Sequence, residues 1–341
     1  MSLNKYLIFW SYLFFLFLGG LQAETENSSS ILSFRENKHD AVILTFLDYL
    51  YQQKYNSADS VLNLHLDRGQ PGYYYFKGFL ECTIFNDFGD TSALFLAKNY
   101  WEKLGDLAED KPQKKKDTLF WDLYHGLALS QLGYVSSILH KSIKSAFQGR
   151  AGVKLLGTQK QFLEAQCVIQ IYKYYKNKLF SWVPLVNDNQ KPFRKFLLDN
   201  YEHSRYLSVF FLTPLIWMHF DVKMYQKGLE LAQKFLKKYP DNRIYRLIEA
   251  DFYYKLKNYD KASQIFEEIK SEYLNFYSNS SDNKFIRINY FSAVGNLVRV
   301  YKAWGNAEKQ KENSDIWFSE DCIKVRKWLP KSLIKDIGTV P

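Results

Sequence analysis

Two stretches of this sequence decide its fold: YQKGLELAQKF at residues 225–235 and YDKASQIFEEI at residues 259–269. The second repeats the first at an offset of 34 residues, so that bulky and small positions recur in phase. Gly228, for example, corresponds to Ala262. A small residue lets two helices approach closely, and a bulky residue fills the gap to the next helix. The two stretches therefore predict consecutive helix-turn-helix units.

The rest of the chain has the same helical character. From about His39 onward, apolar residues recur at intervals of three and four, as they do on the buried side of a helix. The prolines from Pro71 to Pro240 fall at predicted joints, because proline interrupts a helix. A β-hairpin favours an Asn-Gly or Asp-Gly pair between two runs of alternating apolar and polar residues. The sequence contains no such pair. The sequence therefore predicts an all-α fold.

At the repeated stretches the chain resembles a tetratricopeptide-repeat protein, whose unit of 34 residues is a pair of antiparallel helices. The resemblance covers residues 209–269, where Leu215 and Tyr253 match first-helix positions of the family. It implies a right-handed superhelical array of helix pairs, an α-solenoid in which each unit packs on the next. Weaker units are expected at 46–66, 78–104, 121–133 and 298–305.

The first 23 residues have the pattern of a secretory signal peptide. Lys5 precedes an apolar run at residues 6–18, and small residues lead to an exit at Ala23. The run is shorter than the roughly 20 residues that a membrane-spanning helix needs. We therefore expect cleavage after Ala23 and an exported protein. A chain rich in Lys, Asn, Phe and Tyr suggests an AT-rich bacterium, and hence a periplasmic or secreted location.

The mature chain is expected to contain three parts. Residues 24–37 are polar and predict a flexible leader, residues 38–320 a helical repeat domain, and residues 321–341 a basic C-terminal helix and tail. A proline-bracketed insertion at 178–195 is where the repeat domain would subdivide, and a lysine-rich joint lies at 110–117. Because repeat arrays bury their cores between neighbours, we expect one elongated body.

Composition and charge exclude several classes of function. Lys plus Arg number 46 against 36 Asp plus Glu, a balance of +10, which is modest for a nucleic-acid binder. We expect no nucleic-acid partner, and lysine clusters at 111–116 and 324–335 leave a peripheral contact with an anionic envelope surface open. Three distant cysteines form neither a disulfide scaffold nor a CxxC zinc unit. Cys82 and Cys167 lie in apolar helical stretches and predict small buried side chains.

Motifs for catalysis are missing from the sequence. The six histidines never occur with the four-residue spacing of HExxH, and no GxSxG elbow is present. The glycines at Gly152 and Gly157 lack the lysine that follows in a phosphate-binding loop. We therefore expect no catalytic residue, cofactor or metal ion.

Two classes of function follow from these observations. The leading one is an exported, non-enzymatic scaffold that binds a protein or peptide partner in the cell envelope through its concave helical face. The alternative is an envelope enzyme or carbohydrate-binding protein built on a helical solenoid or toroid. Two carboxylates at catalytic separation in the groove would favour the alternative. The sequence leaves the oligomeric state undetermined.

The resemblance also implies which residues meet the partner, because the first helix of each unit lines the inner face in that family. With Gly228 and Ala262 as second-helix positions, the implied inner-face residues are Phe210, Thr213, Trp217, Phe220 and Asp221, then Ile244, Leu247, Asp251, Tyr254 and Lys255. Asp251, Tyr254 and Lys255 share one side of a helix, being three and four residues apart. We expect partner binding at Trp217, Phe220, Asp251, Tyr254 and Lys255, with simple burial of the two aromatics as the alternative.

Overall fold

A computed structural model of the protein describes residues 33–36, 38–109, 115–139, 141–179, 190–279 and 287–338. Across these residues the secondary structure is helical and includes no strand, which confirms the predicted all-α fold. The predicted signal peptide, most of the leader, the joint at 110–114 and the centre of the insertion, 180–189, lie outside the described residues.

Sixteen α-helices occur within the described ranges, and most are joined by short links. In chain order they are α1 Asp40–Tyr51, α2 Tyr55–His65, α3 Pro71–Phe88, α4 Thr91–Glu109, α5 Lys115–Ile138, α6 Ser142–Leu156, α7 Leu163–Leu179, α8 Lys191–Asn200, α9 Ser208–Asp221, α10 Tyr225–Leu236, α11 Arg243–Lys255, α12 Tyr259–Asn279, α13 Ile288–Trp304, α14 Ala307–Trp317, α15 Glu320–Val325 and α16 Lys331–Ile337. Short 3₁₀ turns follow α8 and α15, at Tyr201–His203 and Arg326–Trp328.

Helices that follow one another in sequence pack against each other, as expected for helix pairs. In the α5–α6 pair, a Cβ added at Gly126 would lie 2.8 Å from Leu156, so this glycine occupies the predicted small position. Ser145, early in α6, donates a hydrogen bond of 2.7 Å to the carbonyl of Gly133, late in α5. The two helices are therefore antiparallel, an arrangement of the kind found in helical solenoids.

A recurring turn joins the helices of several pairs. Gln53, Lys223 and Lys257 have positive φ angles of 59°, 59° and 62°, and Gly89 and Gly305 adopt the same left-handed conformation. After each of the three non-glycine residues, the next amide donates a 2.9 Å hydrogen bond to the carbonyl five residues earlier. This bond pattern is the helix C-terminal motif that satisfies free carbonyls. The following helices then begin at equivalent tyrosines, Tyr55, Tyr225 and Tyr259.

The predicted small position at Gly228 is required by packing between α10 and α11. A Cβ added there would lie 2.3 Å from the ring of Phe252, which is buried beneath it. Ala262 is likewise fully buried between α12 and its neighbours. Close approach at these positions lets the large aromatic side chains of adjacent helices interlock.

The array curls back on itself, so the expectation of an elongated body is wrong. Helix α3 contacts α11 and α13, far along the chain. Tyr51 of α1 packs against Phe235 and Tyr239, with ring centroids 5.9 and 5.6 Å away. These aromatic contacts bury apolar surface that a linear array would leave in water. One continuous apolar cluster reaches from Phe34 to Phe252, across the insertion at 178–195.

A buried ion pair lies where the first helices meet the later ones. Asp87, at the end of α3, is fully buried and accepts hydrogen bonds from Tyr55 (2.7 Å), Tyr273 (2.8 Å) and Arg243 Nε (3.0 Å). Asn289 of α13 donates to the backbone carbonyl of Asp87. Burial alone would lower the pKa of the Arg243 guanidinium, but the adjacent carboxylate raises it above its ordinary value. We call these five residues the Asp87 cluster.

The fold begins before His39, within the stretch predicted as a flexible leader. Phe34 is buried, with its ring 5.1 Å from that of Tyr206 and 5.4 Å from that of Tyr124. Its amide donates a 3.1 Å hydrogen bond to the buried carboxylate of Glu164. Burial of Phe34 anchors the segment together with the hydrogen bond from Ser33 Oγ to Glu164, because burying a phenylalanine is strongly favourable.

One further expectation needs correction. Pro214 does not mark a joint but lies inside α9, where it is buried. The one backbone bond that it removes is offset by burial of most of that helix. In the C-terminal region, where a basic helix and tail are predicted, α16 packs on α13 and Leu333 is buried against Gly295.

Candidate functional site

Helices α9 and α11 carry the predicted inner-face residues, and α13 contacts α11 through the ion pair of Arg299 with Asp251. The hydroxyls of Thr213 on α9 and Tyr245 on α11 are 2.9 Å apart, and the rings of Phe220 and Phe252 are 5.4 Å apart. Of the ten residues implied by the resemblance, three are buried and seven are half-buried. The face is therefore a narrow surface that the array largely shields.

Trp217 and Phe220 are not exposed aromatics. Their side chains are only 2% and 3% accessible, and their rings lie 5.5 Å apart in the core. The alternative of simple burial thus describes Phe220 well. Trp217 differs, because its indole Nε1 has no hydrogen-bond partner among the described residues although it is buried. A buried donor without an acceptor is costly, so this nitrogen is a polar atom that the core leaves unsatisfied.

The structure brings Asp251, Tyr254 and Lys255 together at the end of α11. Asp251 is buried, whereas Tyr254 and Lys255 are half-buried. The Lys255 ammonium lies 5.2 Å from the centre of the Tyr254 ring and 5.8 Å from that of Phe220, within range of cation–π attraction. Burial, and the positive charge of Arg299, lower the pKa of Lys255.

Arg299 is the residue that sequence reasoning missed. It lies on α13, almost fully buried, and its guanidinium is 3.6 Å from Asp251, 3.4 Å from Asp336 and 4.9 Å from the centre of the Tyr254 ring. Its Nη2 donates a 2.7 Å hydrogen bond to Asn296. The available signal in the sequence was a lone arginine between two valines in an otherwise apolar helical run. Charged residues are rarely buried unless they are paired, so an arginine at such a position indicates a buried acidic partner.

Three buried polar atoms at this site lack hydrogen-bond partners within the described ranges: Trp217 Nε1, Asp251 Oδ2 and Arg299 Nε. Two are donors and one is an acceptor. We call the surface formed by Trp217, Phe220, Asp251, Tyr254, Lys255 and Arg299 the α9–α11–α13 face.

Two carboxylates lie near the same cation at this face. Asp251 and Asp336 both approach the guanidinium of Arg299, on different nitrogen atoms.

A separate cleft of about 370 Å³, including its solvent-open part, lies between α5, α6, α7 and α9. Tyr134, on its wall, donates a 2.8 Å hydrogen bond to Asn86 of α3, and the ring of Phe210 is 6.1 Å from that of Phe79. Among its lining residues, only Phe210 belongs to the predicted inner face. The cleft is lined by Ser130, Gln131, Tyr134, Val153, Val168, Ile171, Tyr172 and Phe210.

Cys82, Cys167 and His219 are part of the packed core. Cys82 and Cys167 are buried in α3 and α7, as predicted, and burial raises the pKa of Cys82 to about 12. Such thiols stay protonated and unreactive at neutral pH. His219 is buried with its Nδ1 2.9 Å from the carbonyl of Leu215. Among the described residues, no three His, Cys, Asp or Glu side chains converge as a metal site requires.

No model of a known protein family matches the chain. A comparison with curated proteins gave no match either. The assignment of this site therefore rests on the geometry of Trp217, Asp251, Tyr254, Lys255 and Arg299.

Proposed function

We propose that the chain is an exported, non-enzymatic scaffold of the tetratricopeptide type, with a right-handed superhelix. It binds a protein or peptide partner of the bacterial cell envelope through the α9–α11–α13 face. Export follows from the signal-peptide pattern that ends at Ala23. The family assignment is supported by the 34-residue offset and by the recurring turn at Gln53, Lys223 and Lys257.

The observation that carries the proposal is the set of unpartnered buried atoms at the face. Asp251 Oδ2 calls for a hydrogen-bond donor, and Trp217 Nε1 and Arg299 Nε call for acceptors. A peptide backbone presents both kinds of group at short intervals. These three atoms are buried in the unbound chain, so binding includes a local opening of the face through which the backbone of the partner reaches them.

The half-buried side chains complete the recognition surface. Tyr254 offers an apolar ring with a hydroxyl, and Lys255 offers a cation at the solvent edge. Tyrosine and buried charged groups are typical of the residues that dominate binding energy at interfaces. The pair therefore gives the partner both apolar contact and a charge-assisted hydrogen bond.

Affinity capture tests the proposal. The mature protein is immobilised and exposed to native envelope extract, and bound proteins are compared with those held by Tyr254→Ala/Lys255→Ala. The matched control is Tyr49→Ala/Lys54→Ala, which removes a half-buried tyrosine and an exposed lysine from α1 and the link after it. We expect the first variant to lose its partner and the control to retain it.

Circular dichroism and thermal melting check that both variants are folded. Because Tyr254 and Lys255 are half-buried, we expect a loss of about 1 kcal/mol in unfolding free energy rather than none. Equal capture by the folded face variant and the wild type would exclude this face as the binding site. Capture of a polysaccharide in place of a protein would favour the carbohydrate-binding alternative.

A further inference from the structure

Helix α6 presents an apolar and basic stripe to solvent. Ile143 and Phe147 are 75% and 68% exposed, unusually high values for large apolar side chains. Arg150 and Lys154 follow on the same side, seven and eleven residues after Ile143, and both are exposed. With 3.6 residues in each turn, these four residues form one line along the helix. We call this line the α6 stripe.

The stripe is not needed for packing of the helix. The opposite side of α6 fixes it to α5, where a Cβ added at Gly152 would lie 2.8 Å from the carbonyl oxygen of Gly126. Val153 and Leu156 are buried on that side. Exposed apolar residues on a helix that is already anchored call for another explanation.

The charge around the stripe is positive. The sequence of α6 contains no acidic residue, and Lys141 at its start is also exposed. Lys144 forms an ion pair of 3.2 Å with Glu102 of α4, but Lys98 pairs with the same carboxylate, so this group of three keeps one net positive charge. Neither Arg150 nor Lys154 forms an ion pair with any described residue.

We propose that the α6 stripe docks the protein on the surface of an anionic lipid bilayer. Ile143 and Phe147 insert at the level of the headgroups, while Arg150 and Lys154 contact lipid phosphates. Apolar side chains beside lysine and arginine on one helix are the pattern of helices that lie in a membrane interface. Within the described ranges no helix is long and apolar enough to cross the bilayer.

Size favours a bilayer over a protein as the occupant. A stable protein interface covers about 800 Å² on each partner and usually has an apolar centre of several residues. Two apolar side chains in a line of cations provide a much smaller apolar area than such an interface needs. A bilayer needs no matching shape, and it rewards each inserted apolar group and each cation separately.

The surface differs from the lysine clusters at 111–116 and 324–335, and it is independent of the proposed partner face. Each cation near an anionic bilayer contributes about 1 kcal/mol, which corresponds to roughly a fivefold change in affinity. Removing both Arg150 and Lys154 should therefore weaken binding about 25-fold. Replacing Ile143 and Phe147 by serine should weaken it at least tenfold, because two insertions are lost.

Vesicle sedimentation tests the proposal. The sample is the protein in the form in which the cells that produce it release it. Binding is measured to vesicles of phosphatidylglycerol with phosphatidylcholine, and to phosphatidylcholine alone. The variants are Ile143→Ser/Phe147→Ser and Arg150→Gln/Lys154→Gln. Their matched controls change exposed residues of the same type elsewhere: Leu64→Ser/Leu274→Ser and Lys302→Gln/Lys311→Gln. All forms share one N-terminus, so any contribution of residues 6–18 cancels.

Support would be salt-sensitive binding to the anionic vesicles that falls in both stripe variants and stays within twofold of wild type in both controls. Equal losses in the lysine control would overturn the proposal, because net charge alone would then explain binding. Absence of wild-type binding to anionic vesicles would overturn it as well. A wild-type dimer that becomes monomeric in Ile143→Ser/Phe147→Ser, without vesicle binding, would assign the stripe to self-association instead. None of these results depends on the α9–α11–α13 face.

Discussion

Replacing Asp87 by asparagine should destabilise the whole array, because the Asp87 cluster joins its first helices to its later ones. The substitution preserves the shape of the side chain and removes its charge. Arg243, whose side chain is only 10% accessible, then loses the carboxylate that compensates its guanidinium. The hydroxyls of Tyr55 and Tyr273 also lose a charged acceptor at 2.7 and 2.8 Å.

The expected loss in unfolding free energy is about 3–5 kcal/mol, the usual effect of leaving one member of a buried ion pair without its partner. Urea unfolding followed by circular dichroism measures it as a lower midpoint at unchanged slope. A matched control is Asp199→Asn, which breaks the exposed pair of Asp199 with Lys195 at 2.5 Å. That pair should contribute less than about 1 kcal/mol.

Two further measurements separate this explanation from a general loss of packing. The double variant Asp87→Leu/Arg243→Met removes both charges and should be clearly more stable than Asp87→Asn, because buried pairs are often replaced by apolar residues at little cost. Small-angle X-ray scattering should show Asp87→Asn with a larger radius of gyration than wild type, since α3 would separate from α11 and α13. A loss below about 1 kcal/mol with unchanged dimensions would refute the reasoning.

Other predictions concern single positions. Gly228→Ala should lower the unfolding free energy, measured by thermal melting, by about 1–3 kcal/mol, because the added Cβ would lie 2.3 Å from the Phe252 ring. The control Gly69→Ala should have little effect in the same experiment. Glu81 is half-buried, and its burial raises the pKa of its carboxyl to about 7, although the charge of nearby Lys77 partly opposes this rise. The contribution of this carboxyl to stability is therefore complete below about pH 4.5 and is lost as the pH rises through 7. Glu81→Gln removes this titration, so the melting temperature should vary less between pH 5 and 8 than in the wild type. After solvent screening, the difference corresponds to about 1–2 kcal/mol of unfolding free energy. An unchanged slope of melting temperature against pH would contradict this role. N-terminal sequencing of the released protein should begin at Glu24, and a sequence beginning at residue 1 would disprove cleavage. Elemental analysis of the purified protein should find no stoichiometric metal, and bound zinc would overturn that expectation.

Local periodicity accounts for the parts of the fold that could be predicted. The match between residues 225–235 and 259–269 depends on contacts within one helix pair, and both predicted helices begin at the matched tyrosines, Tyr225 and Tyr259. The same register correctly grouped Tyr254 and Lys255 on one side of α11. Helical spacing determines which residues share a side, so one sequence was enough.

The closure of the array could not be predicted in this way. Asp87 and Arg243 are 156 residues apart, and neither belongs to a motif. Burial of Trp217 and the position of Arg299 depend on how α9, α11 and α13 meet. Spacing along one helix contains no information about partners on another, and such contacts depend on packing across the whole chain.

The distance between Asp87 and Arg243 along the chain also affects how the protein is made. During synthesis, α3 emerges with the Asp87 carboxylate, which is buried in the folded protein, before its counter-ion Arg243 has been translated. At about 5–20 residues per second, Arg243 follows roughly 8–30 s later. An open repeat array can fold unit by unit as it emerges. In this chain the Asp87 carboxylate cannot be buried with its counter-ion until α11 is available, so the contacts that close the array form only after most of the protein has been synthesised.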